Sequence, residues 1–157
     1  MNDTTERSQT HATFVIERTY PAPVEAVWHA LSDDDARDQW FNAGQAFDAR
    51  EKSHEFRVGG HGAEEGRWHG GPQSRFLSTY TDIVELQRIV FTYDMWIDGR
   101  HLSTSLTTIA LERDGDQTRL SYTEQGVHFD GLDSVEGREQ GSSGLLDQLG
   151  SYLASSS

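Results

Sequence analysis

The sequence predicts an α+β fold: a curved antiparallel sheet of about six to seven strands wrapped around a long C-terminal helix, with two short helices after the first strand. Three observations carry this expectation. About 80 residues after Gly44 keep a strand-like pattern. Within them, Asp98-Gly99 and Asp114-Gly115 separate strand-like runs, and such two-residue turns make neighbouring strands antiparallel. The chain then closes on LLDQLGSYL, whose leucines recur at helical spacing.

The elements follow in order. Residues 1–11 are polar and unpatterned and read as a flexible tail, leaving 12–154 as one domain. Thr13–Tyr20 (TFVIERTY) is rich in β-branched and aromatic residues, a strand signature. Pro21 and Pro23 end it, and Pro23 suits a first helical turn. Val24, Val27, Trp28 and Leu31 then form one apolar helical face. Ser32 is an expected N-cap for a second helix, with Asp33, Asp34 and Asp35 in its first turn. Trp40 and Phe41 end that helix and Gly44 marks the exit. Candidate strands are Ala46–Lys52, His54–Gly59, Ser74–Glu85, Arg88–Ile97, His101–Arg113 and Gln117–Val127. Leu86-Gln87 is a less characteristic turn. In the fifth of these strands the apolar phase slips between Leu102/Leu106 and Ile109/Leu111, which predicts a β-bulge near Thr107-Thr108. Residues 59–71 (GGHGAEEGRWHGG) hold six glycines in thirteen positions and read as a long irregular loop. From Gly131 the chain reads as helix, with Leu145, Leu149 and Tyr152 on one face and Leu146 and Leu153 beside it. Glycines 137, 141, 144 and 150 each weaken that helix by about 1 kcal/mol relative to Ala, so tertiary packing must hold it.

Composition bounds the function. The 157 residues predict one domain. Leu, Ile, Val and Phe make up about a fifth of the chain, near the edge of disorder. The 4 Trp and 5 Tyr shift the balance to a folded core. The absence of cysteine excludes disulfides, thiolate metal sites and a Cys nucleophile. A net charge of −13 repels nucleic acid and anionic headgroups. No apolar run reaches the roughly 20 residues of a membrane span. The N-terminal stretch lacks the apolar segment of a secretory signal, so a cytoplasmic monomer or homodimer is expected.

Several chemistries fail on motif grounds. Val58-Gly59-Gly60-His61-Gly62 lacks the Gly-Lys-Ser/Thr ending and the βαβ setting of a phosphate loop. His54, His61, His69, Glu64 and Glu65 cluster in sequence, but no pair has a metal-ligand spacing, so neither metal nor cofactor is expected. Gly141-Ser142-Ser143-Gly144 is not a nucleophile elbow. Glu124 shares a predicted face with Leu120 and Tyr122, so it can point inward as an acid or base, with Arg57 and His128 as possible partners. Its competing role is a structural ion pair with an arginine on a neighbouring element. The aromatics Trp40, Phe56, Tyr80, Tyr93, Trp96, Tyr122 and Phe129 serve a core by default. Strand alternation puts Tyr93 and Met95 on one face and Trp96 on the other.

The stretch ERTYPAPVEAVWHALSDDDARDQWF resembles the opening of the START-like, or SRPBCC helix-grip, superfamily. FRVGG at 56–60, RIVFTY at 88–93, TRLSYTEQG at 118–126 and LLDQL at 145–149 resemble, in order, segments of the family of the heat-shock-protein-90 ATPase activator's C-terminal domain. That resemblance covers about residues 12–153. It implies a helix-grip fold with a cavity between sheet and C-terminal helix. The residues assigned to such a cavity are Trp40, Phe56, Arg57, Tyr80, Tyr93, Tyr122, Glu124 and Phe129. The wider superfamily binds lipids, hormones and polyketides there, and a few members catalyse cyclisation or dehydration. Binding of a small apolar or amphipathic molecule is therefore the leading expectation. A cyclase- or dehydratase-type enzyme using Glu124, and a co-chaperone-like interaction module, are the alternatives. A large apolar docking patch is disfavoured by a mean hydropathy of −0.68. An anionic ligand would need a local basic group, for which Arg57 and Arg100 are the candidates.

Overall fold

A computed structural model describes residues 7–41, 47–68 and 71–155. The order is β1 (Gln9–Tyr20), α1 (Val24–Ser32), α2 (Asp34–Trp40), β2 (Phe47–His54), β3 (His61–Trp68), β4 (Gln73–Val84), β5 (Arg88–Ile97), β6 (Arg100–Asp114), β7 (Gln117–Phe129) and α3 (Val135–Ser155). The strands form one antiparallel sheet in the order β1-β7-β6-β5-β4-β3-β2. Every link except β1-β7 joins sequence neighbours, so local hairpins build most of the sheet. The α+β helix-grip architecture is the one expected, with seven strands.

Strand β1 begins at Gln9, so residues 9–11 belong to the sheet and not to a tail. Their backbone is held because β7 runs on to Phe129, which faces Gln9 across the ladder. Pro23 sits at the N-cap of α1. The cap of α2 is Asp33, whose carboxylate accepts from Ala36 N at 3.0 Å. Ser32 instead closes α1, its hydroxyl donating to Trp28 O at 2.7 Å. Gly44 and Ala46 lie outside the described residues, as do His69 and Gly70.

The glycine-rich segment corrects the loop expectation. Residues 61–68 are strand β3, and 55–60 form the turn before it where a strand was expected. The strand pattern is hidden because two inward positions, Gly62 and Gly66, carry no side chain. They face Ser78 and Ser74 on β4, and a Cβ on Gly62 would lie 2.6 Å from Ser78 Oγ. In the turn, Gly59 has φ +82°, and a Cβ on Gly60 would meet Glu55 O at 2.2 Å. At the β5-β6 hairpin, Asp98 (φ 49°) and Gly99 (φ 79°) are both left-handed, as a type I′ turn requires.

The bulge expected near Thr107-Thr108 is absent. The β6-β7 ladder is continuous from Ser103 to Asp114, and the irregularity in β5-β6 falls between Met95 and Trp96. The apolar phase slips because the inward positions of β6 are polar. Ser103, Ser105 and Thr107 are buried while Leu106 is 37% exposed.

Helix α3 starts at Val135, after Asp130 and Gly131 turn the chain at positive φ. Ser134 Oγ accepts from Gly137 N at 2.9 Å, an N-cap bond. The buried stripe is Ser142, Leu146, Leu149 and Leu153, rotated from the expected face, with Leu145 and Tyr152 at its margin. Gly150 permits close approach to β1: a Cβ there would be 3.1 Å from Tyr20 Cε1. The Tyr20 hydroxyl donates to Leu146 O at 2.8 Å. The core joins this stripe to Phe14, Ile16, Val24, Val27, Leu31, Leu111 and Leu120.

Leu149 is fully buried, so Leu149→Ala should cost about 2–5 kcal/mol in urea unfolding. Nothing lies within 4 Å of a Cβ on Gly141, so Gly141→Ala should stabilise by up to about 1 kcal/mol.

Candidate functional site on the inner face of the sheet

Strand β7 supplies the centre of the site. Alternation turns Tyr122, Glu124, Gly126 and His128 toward α3, and Glu124 is 1% exposed. Its Oε2 accepts from the Tyr93 hydroxyl at 2.8 Å and from Ser105 Oγ at 3.2 Å. Its Oε1 accepts from the Tyr122 hydroxyl at 3.1 Å. Arg138, the fourth residue of α3, places Nη1 3.5 Å from Oε2. The guanidinium donates to the Tyr93 hydroxyl at 3.0 Å, to Ser103 Oγ at 2.8 Å and to Asp133 Oδ2 at 2.7 Å. It also lies 5.6 Å from the Tyr93 ring centroid. Gly126 makes room for this, since a Cβ there would sit 2.9 Å from Ser105 Oγ.

Burial pushes the Tyr93 and Tyr122 hydroxyls well above their ordinary range, and the Glu124 charge adds to both shifts. They are therefore fixed donors at neutral pH. Burial disfavours the Arg138 charge, yet Tyr93, Asp133 and Glu124 together hold its pKa above the ordinary value.

A chain of rings runs across the same face. Trp28 meets Phe56 at 5.7 Å, Phe56 meets Tyr80 at 5.1 Å, and Tyr80 meets Phe91 at 5.9 Å between centroids. Phe91 and Phe76 then approach Tyr93 at 6.0 and 5.1 Å. Phe56, Phe76 and Phe91 remain half-buried. At the far end, His54 Nε2 lies 2.5 Å from the Tyr80 hydroxyl and its Nδ1 2.6 Å from Asp34 Oδ1.

Of the expected site residues, Tyr93, Tyr122 and Glu124 come together, and Phe56 and Tyr80 join them through the ring chain. Trp40 does not. It is a core residue, 3% exposed, and its Nε1 donates to Ala30 O at 2.8 Å, joining α2 to α1. Arg57 is exposed in the turn and pairs with Glu55 at 3.2 Å. Phe129 falls on the outer face, because it is one residue past His128, and packs on His101 at 4.8 Å. Arg100 is exposed. Within the 54–69 histidine cluster, His54 points inward beside Tyr80 while His61 contacts Thr79 on the outer face at 3.2 Å. A depression of about 310 Å³ at β3–β5 is lined mainly by outer-face residues, among them His61, Leu77, Thr92 and Asp94. It lies across the sheet from Tyr93.

Sequence reasoning missed Arg138 and the Ser103-x-Ser105-x-Thr107 repeat. Both left signals. Arg138 is the one basic residue in the α3 segment, and the hydroxyls alternate at strand period.

The family model for Activator of Hsp90 ATPase homolog 1-like protein matches residues 21–154. The chain belongs to this family. Solved structures agree. The Mll3558 protein of Rhizobium loti is 47% identical, with 93% of this chain and 99% of that chain covered and a TM-score of 0.86. A protein from Rhizobium leguminosarum is 36% identical, covering 96% and 99%, with a TM-score of 0.90. An AHSA1-like protein from Aeromonas hydrophila, 19% identical, covers 92% and 94% with a TM-score of 0.68 and so shares the fold. No curated protein matches the chain. No helix among the described residues is long and apolar enough to cross a membrane.

Two predictions follow from the geometry of the AHSA1-like site. Tyr93→Phe removes a hydroxyl that serves both Glu124 and Arg138, and should lower stability by about 1–3 kcal/mol in chemical denaturation. His54 is held below its ordinary value of 6.5, chiefly by burial and then by Arg37, against the pull of Asp34. As pH falls below about 6.5 the unfolded chain takes up this proton first, so stability should decline until the folded pKa is passed. His54→Gln should flatten that part of the stability profile between about pH 7 and pH 5.

Proposed function

We propose that the protein binds a small amphipathic molecule on the inner face of the sheet, beside α3. The observation that carries this reading is a buried carboxylate cluster at the end of a continuous strip of rings, of which Phe56, Phe76 and Phe91 are half-buried. Ligand sites combine an apolar lining with a few convergent polar groups. Here Phe56, Phe76 and Phe91 supply the lining, and the hydroxyls of Tyr93 and Tyr122 with Glu124 supply the polar end. The acid–base alternative draws less support, because Glu124 already accepts three hydroxyl protons beside a guanidinium. The interaction-module alternative also draws less. Among the described residues, the exposed large apolar side chains Val15 and Leu106 are separated by β7, and Val58 sits in the turn before β3.

Native mass spectrometry of freshly purified protein should show a bound small molecule, released on acid unfolding. Phe76→Ala with Phe91→Ala should reduce its occupancy about tenfold or more while circular dichroism stays native. A clean apo mass, together with no binding from lipophilic ligand screens, would overturn the reading.

A further inference from the structure

The Glu124 cluster has unfilled hydrogen-bonding capacity on one side. Among the described residues Oε2 accepts two hydroxyls, whereas Oε1 accepts only that of Tyr122. A carboxylate oxygen takes about two donors, so Oε1 has room for one more. Directly across the ladder stands Thr107. Its side chain is fully buried and Oγ1 makes no hydrogen bond among the described residues. Four residues along β7, on the same face, His128 is 5% exposed, and its Nδ1 lies 3.3 Å from Asp133 Oδ2 without a hydrogen bond among the described residues. Polar groups buried this deeply are ordinarily paired. The open position at Oε1 takes a donor, and Thr107 Oγ1, opposite on the neighbouring strand, has acceptor capacity to spare.

Local charge points the same way. Two shielded carboxylates, Glu124 and Asp133, share one guanidinium, that of Arg138. A cation entering here balances the cluster, whereas an anion adds a third negative charge in a poorly solvated place. The net charge of −13 also draws cations toward the protein.

We propose that the amphipathic molecule held on the inner face carries a primary ammonium group, seated between Glu124 Oε1 and Thr107 Oγ1. This rests on the binding function proposed above. It specifies the head group, and it excludes fatty-acid-like carboxylates as preferred ligands.

The test uses three probes with one apolar body: naphthylmethylamine, naphthylmethanol and naphthoate, titrated by calorimetry at about pH 8, where an alkylamine is charged. The amine should bind about tenfold tighter than the alcohol, and naphthoate weakest. Glu124→Gln should erase the preference for the amine. If that variant fails to fold, Thr107→Val, nearly isosteric, should still weaken the amine several-fold while sparing naphthoate. Equal binding of the three probes, as when a single internal water fills the gap, overturns the head-group assignment and leaves the binding function standing. Tighter binding of naphthoate or of the alcohol does the same. Failure of all three to bind the wild type, with a clean apo mass, removes the binding function itself.

Discussion

A carboxylate buried in the middle of a sheet costs several kcal/mol unless it is paired and hydrogen-bonded. Glu124 imposes that requirement on every element around it. Strand β5 contributes the Tyr93 hydroxyl, β6 contributes Ser105, β7 contributes Tyr122, and α3 contributes Arg138. Arg138 needs partners in turn, which are Ser103 and Asp133. Gly126 suits this arrangement because a Cβ there would push on Ser105 Oγ, which bonds Glu124. One buried charge thus sets residue types on three strands and a helix.

The same requirement divides α3. Its second half is an apolar anchor, with Leu146, Leu149 and Leu153 buried against the core. Its first half buries only Ser142 and is tied to the sheet by the polar contacts of Arg138. The glycines in that half keep their backbone-entropy cost, which the polar contacts of Arg138 help to offset. The helix is therefore an apolar lever on one side and a polar cover over Glu124 on the other.

The ring chain connects this cover to the sheet's far end. Tyr80 sits where the apolar strip meets a second polar group, the His54–Asp34 pair reaching toward solvent on α2. The inner face thus has polar groups at both ends and rings between them. Its outer counterpart is different. There Trp96 stacks on His101, which packs at a tilt against Phe129, and the guanidinium of Arg75 lies 5.2 Å from the Trp96 ring centroid. Trp96 is therefore in contact with both His101 and Arg75.

Local signals determined the architecture. Two-residue turns, proline stops and strand-period alternation depend on nearest neighbours, so β4 to β7 and both short helices were legible with boundaries shifted by few residues. Glu124 was legible as an inward residue for the same reason, since it shares parity with Leu120 and Tyr122. Tertiary structure decided what those rules do not contain. Strand β3 was misread because two of its inward positions, Gly62 and Gly66, are glycines, whose role appears only when Ser78 and Ser74 lie opposite. The phase slip in β6 was misread as a bulge because hydrophobic patterning assumes an apolar interior, and here the interior is polar. Phe129 and Trp40 were assigned to a site by residue type, while strand parity and one indole hydrogen bond placed them elsewhere. Arg138 lies 14 residues beyond Glu124 in sequence, and only the return of α3 across the sheet brings the two charges together.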